Sequence, residues 1–195
     1  RDAEVAGKTI PAGDSAVVAY SVDPDYTLTL IATYPSSALV THDQFGTPYQ
    51  VLVSPDGQNV YVTGNAGDSI ARYQRNSDTG ALTHADTIKN GDTYGCIFPP
   101  CGSSVTGLDG AYGMSLSPDG QYMYVSSTTA DAVTVLGRDP ATGTLSGIFG
   151  PSVRQEYTNS NLNSVYGLAA SPDGKNVYVT GYTSDSLVTL KRDAS

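Results

Sequence analysis

The sequence predicts an all-β chain built as a β-propeller of four-stranded antiparallel blades, and three observations carry that reading. Ser-Pro-Asp-Gly occurs at 54–57, 117–120 and 171–174, and the match continues for about 25 residues beyond each copy. Each copy is followed by an apolar triplet centred on tyrosine: Val60-Tyr61-Val62, Met123-Tyr124-Val125 and Val177-Tyr178-Val179. Apolar, β-branched and Tyr-rich runs bounded by Pro, Gly, Asp and Asn fill the rest, and no stretch of helical period competes with them.

Each unit opens on a tyrosine-led strand (Tyr49 to Val53, Tyr112 to Leu116, Tyr166 to Ala170). Ser-Pro-Asp-Gly then turns the chain, because Pro presets φ for the second turn position and Gly accepts the positive φ that follows. The second strand carries bulk on both faces, Val60 and Val62 on one side and Tyr61 on the other, and so needs cover on both. A small polar stretch and a recurring aspartate (Asp68, Asp131, Asp185) lead into a third strand ending in Arg75, Arg138 or Arg192. Asp-Thr-Gly at 78–80 and Ala-Thr-Gly at 141–143 turn the first two of these into a fourth strand. An earlier partial copy begins at Gly13-Asp14-Ser15 and continues through Val17 to Asp23 and Leu28 to Ala32. Radial sheets that cover one another's flanks satisfy this pattern, whereas a two-sheet sandwich uses unlike strands and no fourfold repeat.

The resulting organisation is a partial blade over 1–33, full blades over 49–88 and 112–149, and a partial blade over 166–195, about three to four blades in all. The recurring aspartates at 14, 68, 131 and 185 lie 54, 63 and 54 residues apart. That exceeds the roughly 40 to 50 residues of common blades, so the surplus falls in insertions near 34–48, 86–111 and 149–165. On a propeller these insertions share one face with the turns between second and third strands. Three readings accommodate the incomplete blades: part of a larger propeller of seven-bladed type, an assembly in which a second chain satisfies open edges, or a closed four-bladed ring that uses Val5 to Ile10 as a missing strand.

The segment Ser171-Pro-Asp-Gly-Lys-Asn-Val-Tyr-Val-Thr-Gly181, with the Asp185-Ser186 and Arg192-Asp193 that follow, resembles the repeat of the YVTN and lactonase-type β-propellers. The similarity runs from Tyr49 to Ser195. Proteins of that group include hydrolases of phosphorylated sugar lactones, a muconate cycloisomerase and surface-layer proteins. The resemblance implies the fold and leaves the activity open.

Composition narrows the function classes. The chain has 195 residues, and 17 Asp and 2 Glu against 10 Lys and Arg give a net charge of −9, which repels nucleic acid and acidic membranes. No apolar run approaches the roughly 20 residues needed to span a bilayer, so no membrane insertion is expected. No phosphate cradle, HExxH, nucleophile elbow or calcium-loop pattern occurs, so no cofactor or metal is expected. Cys96 and Cys101, the only cysteines, bracket Ile-Phe-Pro-Pro in the longest insertion and read as a local disulfide, which points to an extracellular, cell-surface or periplasmic location.

Candidate site residues are few. Tyr49, Tyr112 and Tyr166 begin the innermost strands, where their rings either line the channel mouth and stack on a sugar or flat ligand, or fill space against the next blade. His42-Asp43, in an insertion on the looped face, is the one base-bearing pair to test against a solvated-loop reading, and His84 falls on an outermost strand. The recurring aspartates read as turn residues that accept N–H groups at the entry to the third strand. The expectation is a non-catalytic extracellular module whose partners are protein, through self-assembly or further blades, with glycan as another ligand. Its alternative is a lactonase-like hydrolase of sugar lactones, and a glycan-binding propeller is a third reading.

Overall fold

The computed structural model describes residues 3–5, 8–10, 14–39, 43–93, 104–147 and 156–192, the first two stretches by their backbone. Strands β1 (Ala3–Val5) and β2 (Lys8–Ile10) pair with each other. Blade 1 holds β3 (Ala16–Val22) and β4 (Leu28–Pro35). Blade 2 holds β5 (Pro48–Val53), β6 (Asn59–Gly64), β7 (Ser69–Arg75) and β8 (Leu82–Lys89). Blade 3 holds β9 (Ala111–Leu116), β10 (Tyr122–Ser127), β11 (Ala132–Arg138), β12 (Leu145–Gly147) and β13 (Glu156–Thr158). Blade 4 holds β14 (Val165–Ala170), β15 (Asn176–Gly181) and β16 (Ser186–Lys191). Within each blade consecutive strands are antiparallel neighbours, except that β12 and β13 of blade 3 both pair with β11, and β5, β9 and β14 lie beside one another as the inner layer.

The Ser-Pro-Asp-Gly turns share one geometry. The Ser54 hydroxyl donates to Asp56, the Asn59 N–H donates back to Ser54 Oγ at 2.9 Å, and Gly57 takes φ +70°. Ser117-Asp119-Tyr122 and Ser171-Asp173-Asn176 repeat these bonds. The serine hydroxyl, one aspartate oxygen and the glycine N–H of each bend are bonded within the turn, which is why one tetrapeptide recurs.

Packing follows the pleat. Val60 and Val62 enter a core shared with Val17 of blade 1, while Tyr61, between them, enters a core with Met114, Met123 and Leu136 of blade 3. Tyr124, Val177 and Val179 form a third core between blades 3 and 4. At about 1.5–3 kcal/mol for each large apolar side chain buried, these cores dominate the cohesion of the arc.

Two outcomes differ from the sequence reading. Val5 and Lys8–Ile10 do not join as one strand of a ring, because β1 and β2 form a two-stranded unit of their own, and among the described residues no strand closes the blades into a ring. The fourth-strand position of blade 3 is split: β12 pairs with the Arg138 end of β11 and β13 with its Ala132 end. A blade's outer edge needs only short backbone pairing, which leaves no apolar signature to read.

Candidate functional site

A row of four tyrosines starts on the inner strands, one ring from each of β5, β9 and β14, and ends in the turn after β15. The ring centroids of Tyr49 and Tyr112 are 4.2 Å apart, those of Tyr112 and Tyr166 4.6 Å, and those of Tyr166 and Tyr182 5.3 Å. The first pair is tilted and the other two meet edge to face, the arrangements that the ring quadrupole favours. Tyr49, Tyr166 and Tyr182 keep 51%, 37% and 73% of their surface exposed, so the row presents faces and hydroxyls while its members support each other. The three tyrosines singled out in the sequence therefore come together; Tyr182, in the turn after β15, extends the row and carried no repeat signal of its own.

The strands aim these rings by a repeated device. Each inner strand loses register with its partner near its start, between Pro48 and Val51 in blade 2 and between Val165 and Leu168 in blade 4. In each blade a hydroxyl of the second strand accepts the N–H that follows the tyrosine: Thr63 Oγ1 from Gln50 at 3.0 Å, Ser126 Oγ from Gly113 at 2.8 Å, and Thr180 Oγ1 from Gly167 at 3.0 Å. Thr63 and Ser126 then donate, both at 2.7 Å, to the carbonyls of Tyr112 and Tyr166 in the next blade. One hydroxyl thus fixes its own tyrosine and the next. The signal for it was the small polar residue after each apolar triplet. Gln50 adds a second clamp, exchanging hydrogen bonds with both backbone groups of Met114.

The recurring aspartates border the same face. Asp68 and Asp131 adopt φ +49° and +52°, which Asp tolerates better than most side chains, and this carries their carboxylates away from their own turns. Asp68 Oδ1 accepts the N–H of Gly110 at 2.8 Å, and Asp131 Oδ1 accepts that of Ser164 at 2.6 Å, each in the insertion leading to the next blade. They are inter-blade ties rather than caps of the third strand. Burial pushes the Asp109 carboxyl up, and the neighbouring Asp68 pushes it further.

The remaining candidates lie elsewhere. His42, Cys96 and Cys101 fall outside the described residues. The Asp43 carbonyl accepts from Thr87 on β8, at the outer edge of blade 2. His84, on the same strand, meets Thr87 Oγ1 at 3.0 Å and the edge of Tyr73 at 5.4 Å. No group of three or more metal-ligating side chains occurs among the described residues.

A family model described as Lactonase, 7-bladed beta-propeller matches residues 13–158. Among solved structures, the periplasmic gluconolactonase of Pseudomonas aeruginosa superposes with a TM-score of 0.67 at 21% identity, over 92% of this chain and 44% of that one. A Bacteroides uniformis protein assigned as a 6-phosphogluconolactonase gives 0.66 at 17% identity, over 95% and 46%. A Lactobacillus plantarum protein gives 0.64 at 21% identity, over 92% and 48%. At these identities the likeness is one of fold, and the chain spans a little under half the length of these three structures. No curated protein matches the sequence.

Proposed function

Because this chain belongs to the lactonase family of seven-bladed β-propellers, we propose that it forms part of a sugar-lactone hydrolase in which the tyrosine row is the wall that receives the lactone ring. The observation that carries this reading is the row itself: three rings from successive inner strands and Tyr182 from the turn after β15, with Tyr112 and Tyr166 held by inter-blade hydroxyls and Tyr49, Tyr166 and Tyr182 exposed. A sugar ring offers axial C–H groups to an aromatic face and hydroxyls to a phenol, so such a wall orients it without charge.

Hydrolysis adds water to the lactone carbonyl and opens the ring ester to a hydroxy acid. It requires a group to take the proton from water and donors to meet the developing oxyanion. In this reading the chain's own share is binding and orientation. Asp109, on the looped face, is a carboxyl shifted upward by burial and by the neighbouring Asp68, and in this reading it is the described group that assists proton transfer.

The test is a titration of the chain with glucono-δ-lactone, coupled to pH-stat measurement of ring opening. Tyr112→Ala and Tyr166→Ala are expected to weaken lactone binding roughly 3- to 10-fold each, the value of one aromatic contact, with the folded state retained. Binding that is unchanged in both variants would overturn this reading and favour the non-catalytic binding or assembly module, whose support is the exposed apolar surface at the flanks of the arc. A periplasmic or extracellular location belongs to the same proposal; signal-dependent export of the source protein would support it.

A further inference from the structure

The seam between blades 2 and 3 holds a groove of about 630 Å³ at the Ser-Pro-Asp-Gly end of the strands. Strand β5 runs from Tyr49 in the aromatic row to the turn at Ser54, so the groove and the row lie at opposite ends of blade 2. Its walls are Asn59 and Gln74, directly opposite each other on β6 and β7, with Gln58 and Arg72 beside them and Ala141 and Thr142 from the turn between β11 and β12. All six belong to blades 2 and 3.

The same positions of blade 3 show that the fold does not demand a polar hollow here. Tyr122 and Val135 stand where blade 2 has Asn59 and Arg72, and both pack on the apolar core between blades 3 and 4. In blade 2 the room goes to a buried ion pair instead. Arg72, 7% exposed, holds Asp86 through Nε and Nη2 and spends Nη1 on Asn59 Oδ1 at 3.2 Å and the Thr142 carbonyl at 2.8 Å. Apolar residues of like volume serve stability as well as such a pair does, so what Arg72 adds is a fixed amide.

Asn59 is that amide, and it is 4% exposed. Because a guanidinium only donates, the atom facing Arg72 is Oδ1, which turns Nδ2 the other way. Nδ2 has no hydrogen bond among the described residues, yet it is not sealed from the groove. Gly143 lies against the same amide, and a Cβ there would fall 2.3 Å from Oδ1, so Asn59 has no room to swing. The side-chain amides of Gln58 and Gln74 are likewise unbonded among the described residues.

We propose that this groove binds a neutral saccharide, whose hydroxyls are met by the amides of Asn59, Gln58 and Gln74. A primary amide offers donors and an acceptor in one plane, and each sugar hydroxyl both donates and accepts, so a polyol satisfies a row of amides. An anion would be opposed by Asp56 and Asp78, and a cation by Arg72 and Arg75. A flat apolar ligand would find no aromatic or large aliphatic wall among the described residues. The chain thus holds a glycan at one end of its blades and leaves the tyrosine row free at the other.

The test is a titration of the isotope-labelled 195-residue chain with maltotriose, cellotriose and mannotriose, followed through its side-chain amide NMR signals. Saturable one-to-one binding of at least one of them is expected, with shifts at Asn59, Gln58 and Gln74 and an affinity that does not change between about 0.02 and 0.5 M NaCl. Gln74→Ala, at an exposed position, should weaken it roughly 5-fold with the melting temperature unchanged. Asn59→Asp keeps the shape and the acceptor for Arg72 but removes the donor, and should weaken it roughly 10-fold. Tyr166→Ala should leave it as it is, which separates this site from the lactone wall. No saturable binding of any of these sugars, shifts confined to the tyrosine row, or binding that survives both Gln74→Ala and Asn59→Asp would overturn the proposal. So would tighter, salt-dependent binding of glucuronate or glucose 6-phosphate, since that would make the groove an anion site.

Discussion

Tyr61, Tyr124 and Tyr178 hold one position in three successive repeats, yet they are 0%, 6% and 41% exposed. The sequence around them is nearly the same, so the difference lies in what stands on the far side of the sheet. Tyr61 has blade 3 against it and Tyr124 has blade 4, whereas among the described residues no further blade covers the corresponding face of blade 4. In a repeat architecture, a residue's energetic weight is therefore a property of the interface between units and not of the unit.

The largest effects should come from pressing on this contrast. Tyr61→Ala removes a ring buried among Met114, Met123 and Leu136 and the hydroxyl that donates to Gly143 and accepts from Arg138, and should cost about 3–5 kcal/mol in urea unfolding. Tyr178→Ala should cost about 1 kcal/mol or less by the same measurement. Equal losses would mean that this face of blade 4 is covered in solution. Next comes the arginine series. Arg138, whose side chain is 2% exposed, ties Asp56, Tyr61 and Gly120 together, and Arg138→Met should destabilise by about 1–3 kcal/mol because it takes a partner from the buried Tyr61 hydroxyl and Gly120 carbonyl. Arg75→Met, with a single carbonyl partner among the described residues, should stay within about 0.5 kcal/mol. The hydroxyl latch sharpens the comparison at a smaller scale: Thr63→Ala and Ser126→Ala should each cost about 1 kcal/mol, and Thr180→Ala, which ties no further blade, only a few tenths.

The smallest effect is one of pH, and its sign separates two carboxyls. Asp119 is held at about 2 by the Ser117 hydroxyl, with the Gln121 N–H and Arg192 adding to it. Its folded value lies below the unfolded one, so its contribution is present above about 4 and is lost as pH falls toward 2. Asp109 is shifted upward, so the folded state binds its proton more tightly and stability declines as pH rises above the unfolded carboxyl value of about 3.9. In urea midpoints measured from pH 2 to 7, Asp119→Asn should flatten the acid limb, and Asp109→Asn should raise the neutral end relative to pH 3. The reverse pattern would contradict the environments described for both groups.

What was legible in the sequence was whatever a single unit decides by itself. Ser-Pro-Asp-Gly closes its own hydrogen bonds, and Val60-Tyr61-Val62 announces two faces in need of cover, so the fold and the family could be read from 25-residue stretches. The tyrosine positions were legible as a column of the repeat. Their mutual stacking was not, because each ring in contact comes from a different blade or turn. Asp68 shows the same limit: its spacing marked a turn residue, but its carboxylate crosses to Gly110, 42 positions on. Arg75, Arg138 and Arg192 looked alike as strand ends, and only the neighbouring turn reveals that two of them are bridges.

The double duty of Thr63 and Ser126 bears on how such a chain grows. Because each unit brings both a wall residue and the clasp for the wall residue of its successor, duplicating one unit lengthens the aromatic surface by one correctly seated ring without any compensating change elsewhere. Recognition area in this architecture is thus inherited in whole increments, and loss of a single clasp hydroxyl would leave its own blade folded while loosening the ring beside it.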